Sequence, residues 1–478
     1  MNQVAEIGEP RRTYNQWVAN ETMEDFALRF TARRARKWST ARVANTAIGS
    51  ISFLALEAIG AAITLSYGFE NAVLAILAVG AALFLTGLPI SYHAAKAGVD
   101  IDLLTRGAGF GYIGSTITSL IYASFTFIFF ALEAAILSFA LELCFGIPLA
   151  VGYLLNALIV IPLVSHGFTR IGAFQKWSQP VWIVLHLMPF VLLIWVGVDL
   201  DAWIGHDGRM GDGSFDLLLF ATASGVIFSL AAQIGEQVDF LRFLPEPKTR
   251  AERLKWWVAL VSAGPGWAVL GTVKMLAGSL LAVLALQAGV PSEMAAEPTQ
   301  MYLSAFETAL PWPALALVLT GLFVIVSQLK INVTNAYAGS IAWSNFFSRL
   351  THQHPGRVVW LCFNVLIALT LMEFGVFGAL EHTLGLYSLV AVAWIGAITA
   401  DLLINKPLGL SPKGIEFRRA YLFDINPVGV GAMATATVLS LAAYLGALGT
   451  TAEAMSSAIA LGTALVVAPC IAWLTGGR

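Results

Sequence analysis

Four stretches of this 478-residue chain put groups capable of chemistry where apolar side chains otherwise dominate. Glu57 lies in SISFLALEAIGAAIT and Glu133 in FTFIFFALEAAILSF. Gln233 and Glu236, followed by Asp239 and Arg242, lie in SLAAQIGEQVDFLRF, and Lys330, Asn332, Thr334 and Asn335 crowd VSQLKINVTNAYAGS. A charge at mid-bilayer costs about 3 kcal/mol on insertion scales, so each needs a reason. Carboxylates, amides and an ammonium at that depth can bind a polar solute or carry a coupling ion. They can also simply satisfy one another inside a helix bundle, for instance as a Glu–Lys330 pair. That last reading is weakest for the set, since one lysine cannot serve several acceptors. Asp239 and Arg242 read as an interfacial cap, and Lys274 as snorkelling or paired. Glu373 and Glu381 read as lying near the outer face, and His352 and His354 as solvated in a short loop.

The elements that must position these groups are transmembrane helices. Apolar residues make up 58% of the chain and charged residues 12%, about half the charged share of a soluble domain. Apolar runs long enough to cross a bilayer predict spans near 43–67, 72–95, 110–143, 147–165, 178–198, 216–240, 256–288, 312–344, 358–376, 384–404, 428–446 and 454–475. With the N-terminus inside, 24 of the 27 Lys and Arg fall in cytoplasmic segments. Arg209 alone is outside, and Lys274 and Lys330 are within spans. This bias predicts an even number of spans and both termini in the cytoplasm of a cell (inner or plasma) membrane protein. Residues 1–42 form a cytoplasmic segment. Within it, 21–37, with Met23, Phe26 and Phe30 on one face, reads as an interfacial helix or a solvated tail. Arg11-Arg12 is too far from an apolar run to be a twin-arginine signal. Cys144, Cys362 and Cys470 lack metal spacing and read as small buried side chains.

Spans one and six each open a set of five. Each carries glycines near its polar positions (Gly49 and Gly60; Gly225 and Gly235), the pattern of discontinuous helices around a transporter's central site. Unwound backbone there is tolerated because it lines a cavity.

Several stretches resemble the nucleobase:cation symporter-1 family of cytosine, purine, allantoin and hydantoin permeases. They are GAAITLSYG ending span one, HGFTRIGAFQKWSQPVWIVL as a short link into span five, AAQIGEQVDFLRF ending span six, NAYAGSIAWSNF ending span eight, and GAITADLLINKPLGLSP with YLFDINPVGVGA between spans ten and eleven. The resemblance implies an all-α integral membrane protein of about twelve transmembrane helices. It would be a LeuT-type five-plus-five inverted repeat (43–198 and 216–404) with two additional helices at 428–475. It also implies a flat heterocycle held between spans one, three, six and eight. The family's span-three aromatic platform falls on Phe129 and its base-binding amide on Glu133, a departure, since a carboxylate only accepts hydrogen bonds. The second platform falls near Phe228 or Ser229. Where span eight usually presents hydroxyls to a sodium ion, this chain has Lys330 and Ile331.

The reading is a secondary transporter importing a nucleobase, a hydantoin or a related amine or amide. Its candidate binding residues are Glu57, Phe129, Glu133, Phe228, Gln233, Glu236, Asn332 and Asn335, with Lys330 and Thr334 at the ion position. Coupling to protons or sodium is expected, with no cofactor or metal, and with the lipid bilayer rather than nucleic acid as surroundings. The alternative is a transporter-like sensor signalling to a cytoplasmic partner or downstream domain, suggested by Lys330 and by the chain's stop at WLTGGR. No nucleophile set or phosphate loop points to an enzyme. A channel would need polarity through the whole depth.

Overall fold

The computed structural model describes residues 30–351, 355–375 and 380–476. The protein is all-helical; the β-type pairing described is one isolated bridge, Phe30 to Val99. Span one is α1 (Thr40–Gly49) and α2 (Ala55–Tyr67), and span two is α3 (Phe69–Ala97). A short α4 (Ile101–Thr105) leads to α5 (Gly114–Phe145), α6 (Leu149–Val164) and α7 (Gly167–Val196), spans three to five. After a loop helix α8 (Asp201–Ile204), span six is α9 (Leu217–Phe228) and α10 (Gln233–Leu241). Span seven comprises α11 (Arg250–Ala263) and α12 (Gly266–Gln287), separated at Gly264-Pro265, and a loop helix α13 (Pro298–Ala309) follows. Spans eight to ten are α14 (Pro313–Thr351), α15 (Arg357–Glu373) and α16 (Leu380–Ala400). The last two are α17 (Pro427–Tyr444) and α19 (Ser456–Leu474), joined through α18 (Thr450–Ala454).

Among the described residues, 9 helices are long and apolar enough to cross a membrane, and the bent α1–α2 pair passes jointly. The α6 helix is apolar but shorter, and α15 has 17 residues. Large apolar side chains such as Val191, Ile194 and Trp195 on α7 lie exposed on the bundle's flank, a surface suited to lipid rather than water.

The packing carries the repeat. Span one packs on span seven as span two packs on span six, while spans three and eight, four and nine, and one and six pair directly. Exchanging the first five spans for the second five maps this pattern onto itself, as a two-fold relation between inverted halves requires.

The loops sort by charge as expected. At one end Phe30 bridges Val99, Arg36 donates to the Leu244 carbonyl, Arg42 to that of Thr169 and Arg357 to those of Val164 and Ser165. Arg106 donates to the Phe417 carbonyl at this same basic end. At the opposite, acidic end the 206–210 loop pairs with the end of α2 through Phe69 N to His206 O and Arg209 N to Leu65 O.

Four expectations change. Span five begins at Gly167, so the supposed link is the first third of a helix that continues through Pro180 and Pro189. Neighbouring helices in a membrane bundle let such prolines persist. From Phe30 to Ser39 the chain forms the bridge and a short 3-10 turn (Arg33–Ala35) rather than a helix continuing to 37. Met23, Phe26, His352 and His354, and the side chain of Glu381, lie outside what is described. Cys362 and Cys470 are exposed on the bundle surface, not buried. The flagged glycines, finally, do not form the breaks. Span one breaks at Phe53, after a 3-10 turn over Ser50–Ser52, with a bend of 41°. Span six only tightens into a 3-10 turn over Ser229–Ala232. Gly49 and Gly60 instead admit neighbours: a Cβ there would meet Gln175 Oε1 at 2.2 Å and the Met275 carbonyl at 2.0 Å.

Candidate functional site

The break in span one exposes the first amides of α2, which have no partner within that helix. Glu133, one face of α5 away, supplies it. Its two oxygens accept from Leu54 N and Ala55 N, each at 3.0 Å, and Gln328 of α14 donates to Oε2 at 2.6 Å and to the Glu133 carbonyl at 3.0 Å. A carboxylate at a helix N-terminus with three donors is a strong, charge-assisted arrangement. Glu133 therefore pins spans one, three and eight together at mid-bundle. Phe129, one turn away, packs edge-on against Phe53 at the break, with ring centroids 6.1 Å apart.

Glu57, two residues into α2, does not pair with Lys330. Its partner is Lys274 of α12, whose Nζ lies 2.9 Å from Oε1, and the tyrosine hydroxyl of Tyr302 on α13 donates to the same oxygen at 3.3 Å. Glycines make this pairing possible. A Cβ on Gly278 would come within 2.1 Å of the Glu57 carbonyl, so the α2 and α12 backbones touch where Lys274 reaches across. Small residues at helix crossings permit this approach.

Lys330 is enclosed by neutral partners. It donates to Gln175 Oε1, to Gln179 Oε1 at 2.8 Å and to Ser178 Oγ at 3.3 Å, all on α7. Gln175, Ser178 and Gln179 form an i, i+3, i+4 row on one helix face, which reading span five from Gly167 would have revealed.

On the span-six side, Gln233 Nε2 donates to Glu236 Oε2 at 3.3 Å, while the Thr334 hydroxyl donates back to the Ile331 carbonyl of its own helix at 2.8 Å. Glu236 Oε1 is buried without a partner. So are both amide atoms of Asn332, both of Asn335, and Gln328 Oε1. Asn332 and Asn335 follow Gln328 by four and seven residues, so the three lie along one stripe of α14, the one turned to α5. Buried amides are ordinarily bonded, so the five unpartnered amide atoms along this α14 stripe are candidates to meet a ligand's donors and acceptors. Phe228 does not join this group. It lines a separate cavity of about 140 Å³ with Ala78, Val79, Met455 and Ala458, while its neighbour Ser229 is fully buried in the span-six turn.

Towards the basic end, Asp239 and Arg242 are buried, not interfacial. Tyr122 donates to Asp239 at 2.8 Å, and Arg242 donates to the Asp239 carbonyl and to the Tyr337 hydroxyl. Below them Arg349, from the end of α14, pairs with Asp102 and donates to Ser115 at 2.7 Å and Ser119 at 2.9 Å. Asp100 caps α4 and accepts from Asn345. Burial, with Asp102 beside it, pushes the Asp100 carboxyl up from its usual range. This network ties the ends of spans six and eight to the segment before span three.

No protein-family model matches the sequence, and no curated protein matches it. Solved structures do. Mhp1, a nucleobase-cation-symport-1 family transporter in a closed conformation with bromovinylhydantoin bound, is similar at a TM-score of 0.67 and 17% identity. The match covers 94% of this chain and 95% of that one. An inward-facing conformation of Mhp1 gives 0.65 at 16% identity, covering 94% and 92%. A sodium-coupled sialic acid symporter in a substrate-bound outward-open state gives 0.58 at 12% identity, covering 93% and 91%. The chain thus has the LeuT-type inverted-repeat fold with two helices added.

Proposed function

We propose that this protein is a secondary transporter that moves a flat, nitrogen-rich solute across a cell membrane by alternating access, with the basic end of the bundle in the cytoplasm. The observation that carries the reading is the row of unpartnered polar atoms on α14. Asn332, Asn335 and Gln328 offer donors and acceptors in alternation, which the edge of a nucleobase or hydantoin, with N–H beside C=O, would satisfy. Glu236 adds an acceptor for a ring N–H. Phe129, beside the span-one break, supplies the aromatic face against which such a ring would stack. Mhp1, which shares the fold, has a hydantoin bound. Glu133 serves mainly as the cap that keeps the break open to this space, and Lys330 and Thr334 flank it.

A thermal-shift screen of the purified protein against cytosine, purines, hydantoins and simple amines, with sodium and with potassium, tests this. A binding solute raises stability as RT ln(1 + [L]/Kd). The expected hit is a planar solute with an imide or amidine edge, whose effect Asn332→Ala and Asn335→Ala abolish. A hit that both variants leave intact would move the site elsewhere. A sensor would bind in the same way without moving solute, so exchange of labelled solute across a vesicle membrane separates the two activities.

A further inference from the structure

Glu57, Lys274, Tyr302 and His186 form a buried acid–base chain outside the solute site proposed above. Tyr302 OH donates to Glu57 Oε1 at 3.3 Å, and the same hydroxyl lies 3.2 Å from His186 Nδ1 on α7. His186 Nδ1 is itself 3.9 Å from Glu57 Oε1, and its ring stacks on Trp182 at 5.1 Å. Lys274 Nζ, besides pairing with Glu57, donates to the Ser52 carbonyl at 3.4 Å. That carbonyl ends the inner half of span one, where the negative end of a half-helix gathers cations. Here the cation is the protein's own ammonium. A second ammonium, Lys330, lies 6.0 Å from the Trp182 ring that Lys274 approaches at 5.5 Å. Both are held by the chain's own oxygens. The second oxygen of Glu57, Oε2, is buried and unpartnered.

We propose that Glu57 is the proton-coupling site of this transporter, reached from the acidic end through His186 and Tyr302, and that Lys274 and Lys330 take the place of a coupling sodium ion. The inference rests on the transport reading above. It adds what drives the transport.

A protonated His186 gives its Nδ1 proton to the Tyr302 oxygen as Tyr302 passes its own hydroxyl proton to Glu57. His186 is left neutral, Tyr302 unchanged and Glu57 a carboxylic acid. The Glu57–Lys274 pair is then an acid beside an ammonium, and Lys274 keeps its charge on the Ser52 carbonyl at the break. Loss of the proton restores the pair and draws α2 back onto α12. The bend between α1 and α2 is thereby tied to the protonation of one residue. The groups facing Glu57 are Lys274 from α12, Tyr302 from α13 and His186 from α7. Glu133 from α5 stands across the break, with Lys274 acting on both carboxylates.

The test uses the full chain reconstituted in liposomes. Infrared difference spectra, titrated over about two pH units either side of neutrality, follow the carboxylic-acid band directly and need no solute. The expected result is a titrating band that is lost in Glu57→Gln, with its midpoint the same in sodium as in potassium. It should also be lost in the double variant Glu57→Gln/Lys274→Met, which removes both members of the buried pair and so guards against misfolding of the single one. Bands from Glu133 and Glu236 remain in every variant. Tyr302→Phe should keep the band and slow its response to a pH jump. The proposal is overturned if Glu57→Gln removes no component of the titrating band, and equally by saturable binding of radioactive sodium to the wild type. With labelled hydantoin as the probe, an inward proton gradient in sodium-free buffer should drive accumulation that sodium does not increase. If wild-type vesicles exchange no hydantoin at all, the solute reading fails while the infrared result still stands or falls alone.

Discussion

The two interrupted spans, related by the internal repeat, are built differently. In span one the chain bends by 41°, and three of the backbone groups at the break have partners: Glu133 takes the amides of Leu54 and Ala55, and Lys274 takes the Ser52 carbonyl. In span six the helix only tightens over Ser229–Ala232, and the next turn carries Glu236, whose Oε1 is buried without a partner, as are the side-chain amides of Asn332 and Asn335 on α14. One interruption is braced by the protein; the other, on the function proposed above, is where a ligand would complete the bonding. A fixed wall facing an unsatisfied one is what a site needs when it must close on its solute and release it again.

The brace gives the largest expected effect. Glu133→Ala strands two helix-terminal amides and the Gln328 side chain in a dry interior, and should cost about 3–5 kcal/mol. The measure is thermal or denaturant unfolding of the purified protein. Glu133→Gln, which keeps one acceptor, should cost less than half of that, and equal losses would show that the cap is not what the carboxylate provides. Next comes the ion pair. Glu57→Gln or Lys274→Met alone should destabilise by about 3 kcal/mol, while the double change recovers most of the loss, because an uncompensated buried charge is worse than no pair. A double-mutant cycle reads the coupling.

The unsatisfied wall should behave in the opposite way. Asn332→Ala and Asn335→Ala remove unpaired buried amides, so the solute-free protein should be unchanged or slightly more stable. Solute affinity should fall about tenfold to a hundredfold, the worth of one or two hydrogen bonds. Calorimetric titration with the solute found by screening checks this, and a stability loss above about 2 kcal/mol would mark both residues as structural.

The smallest effect lies outside the membrane. Hydrogen bonds from Arg418 hold the Glu416 carboxyl down at about 2. Its folded value lies below its unfolded one, so the loop's stabilisation is present above the usual carboxylate range and is lost as pH falls from about 4.5 towards about 2. Glu416→Gln should flatten the acid limb of a stability–pH curve over that window without altering solute binding.

Much of this was legible in the sequence, for a reason particular to membranes. A charge in an apolar run is conspicuous, so Glu57, Glu133, Glu236 and Lys330 stood out, and the basic residues sorted the loops correctly. Their partners did not stand out. Lys274 was visible as a charge, but the contact that pairs it with Glu57 depends on Gly278 pressing against the α2 backbone, a long-range packing fact. Tyr302 lies in a connecting helix that hydropathy passes over. Gln175 was hidden because span five was begun eleven residues late, after a polar face that reads as a loop, so its row with Ser178 and Gln179 did not stand out. The resemblance left the second platform at Phe228 or Ser229, and the 3-10 turn that begins there shifts the helical phase, with Phe228 lining a separate cavity.

The most direct test of the central claim is counterflow. Liposomes holding the protein and loaded with unlabelled hydantoin or cytosine are diluted into a trace of the labelled solute. The account predicts transient accumulation of label that competes with solutes bearing an imide or amidine edge and is lost in Asn332→Ala and Asn335→Ala. Equal label in protein-containing and empty liposomes, across the screened nucleobases and hydantoins, would contradict it.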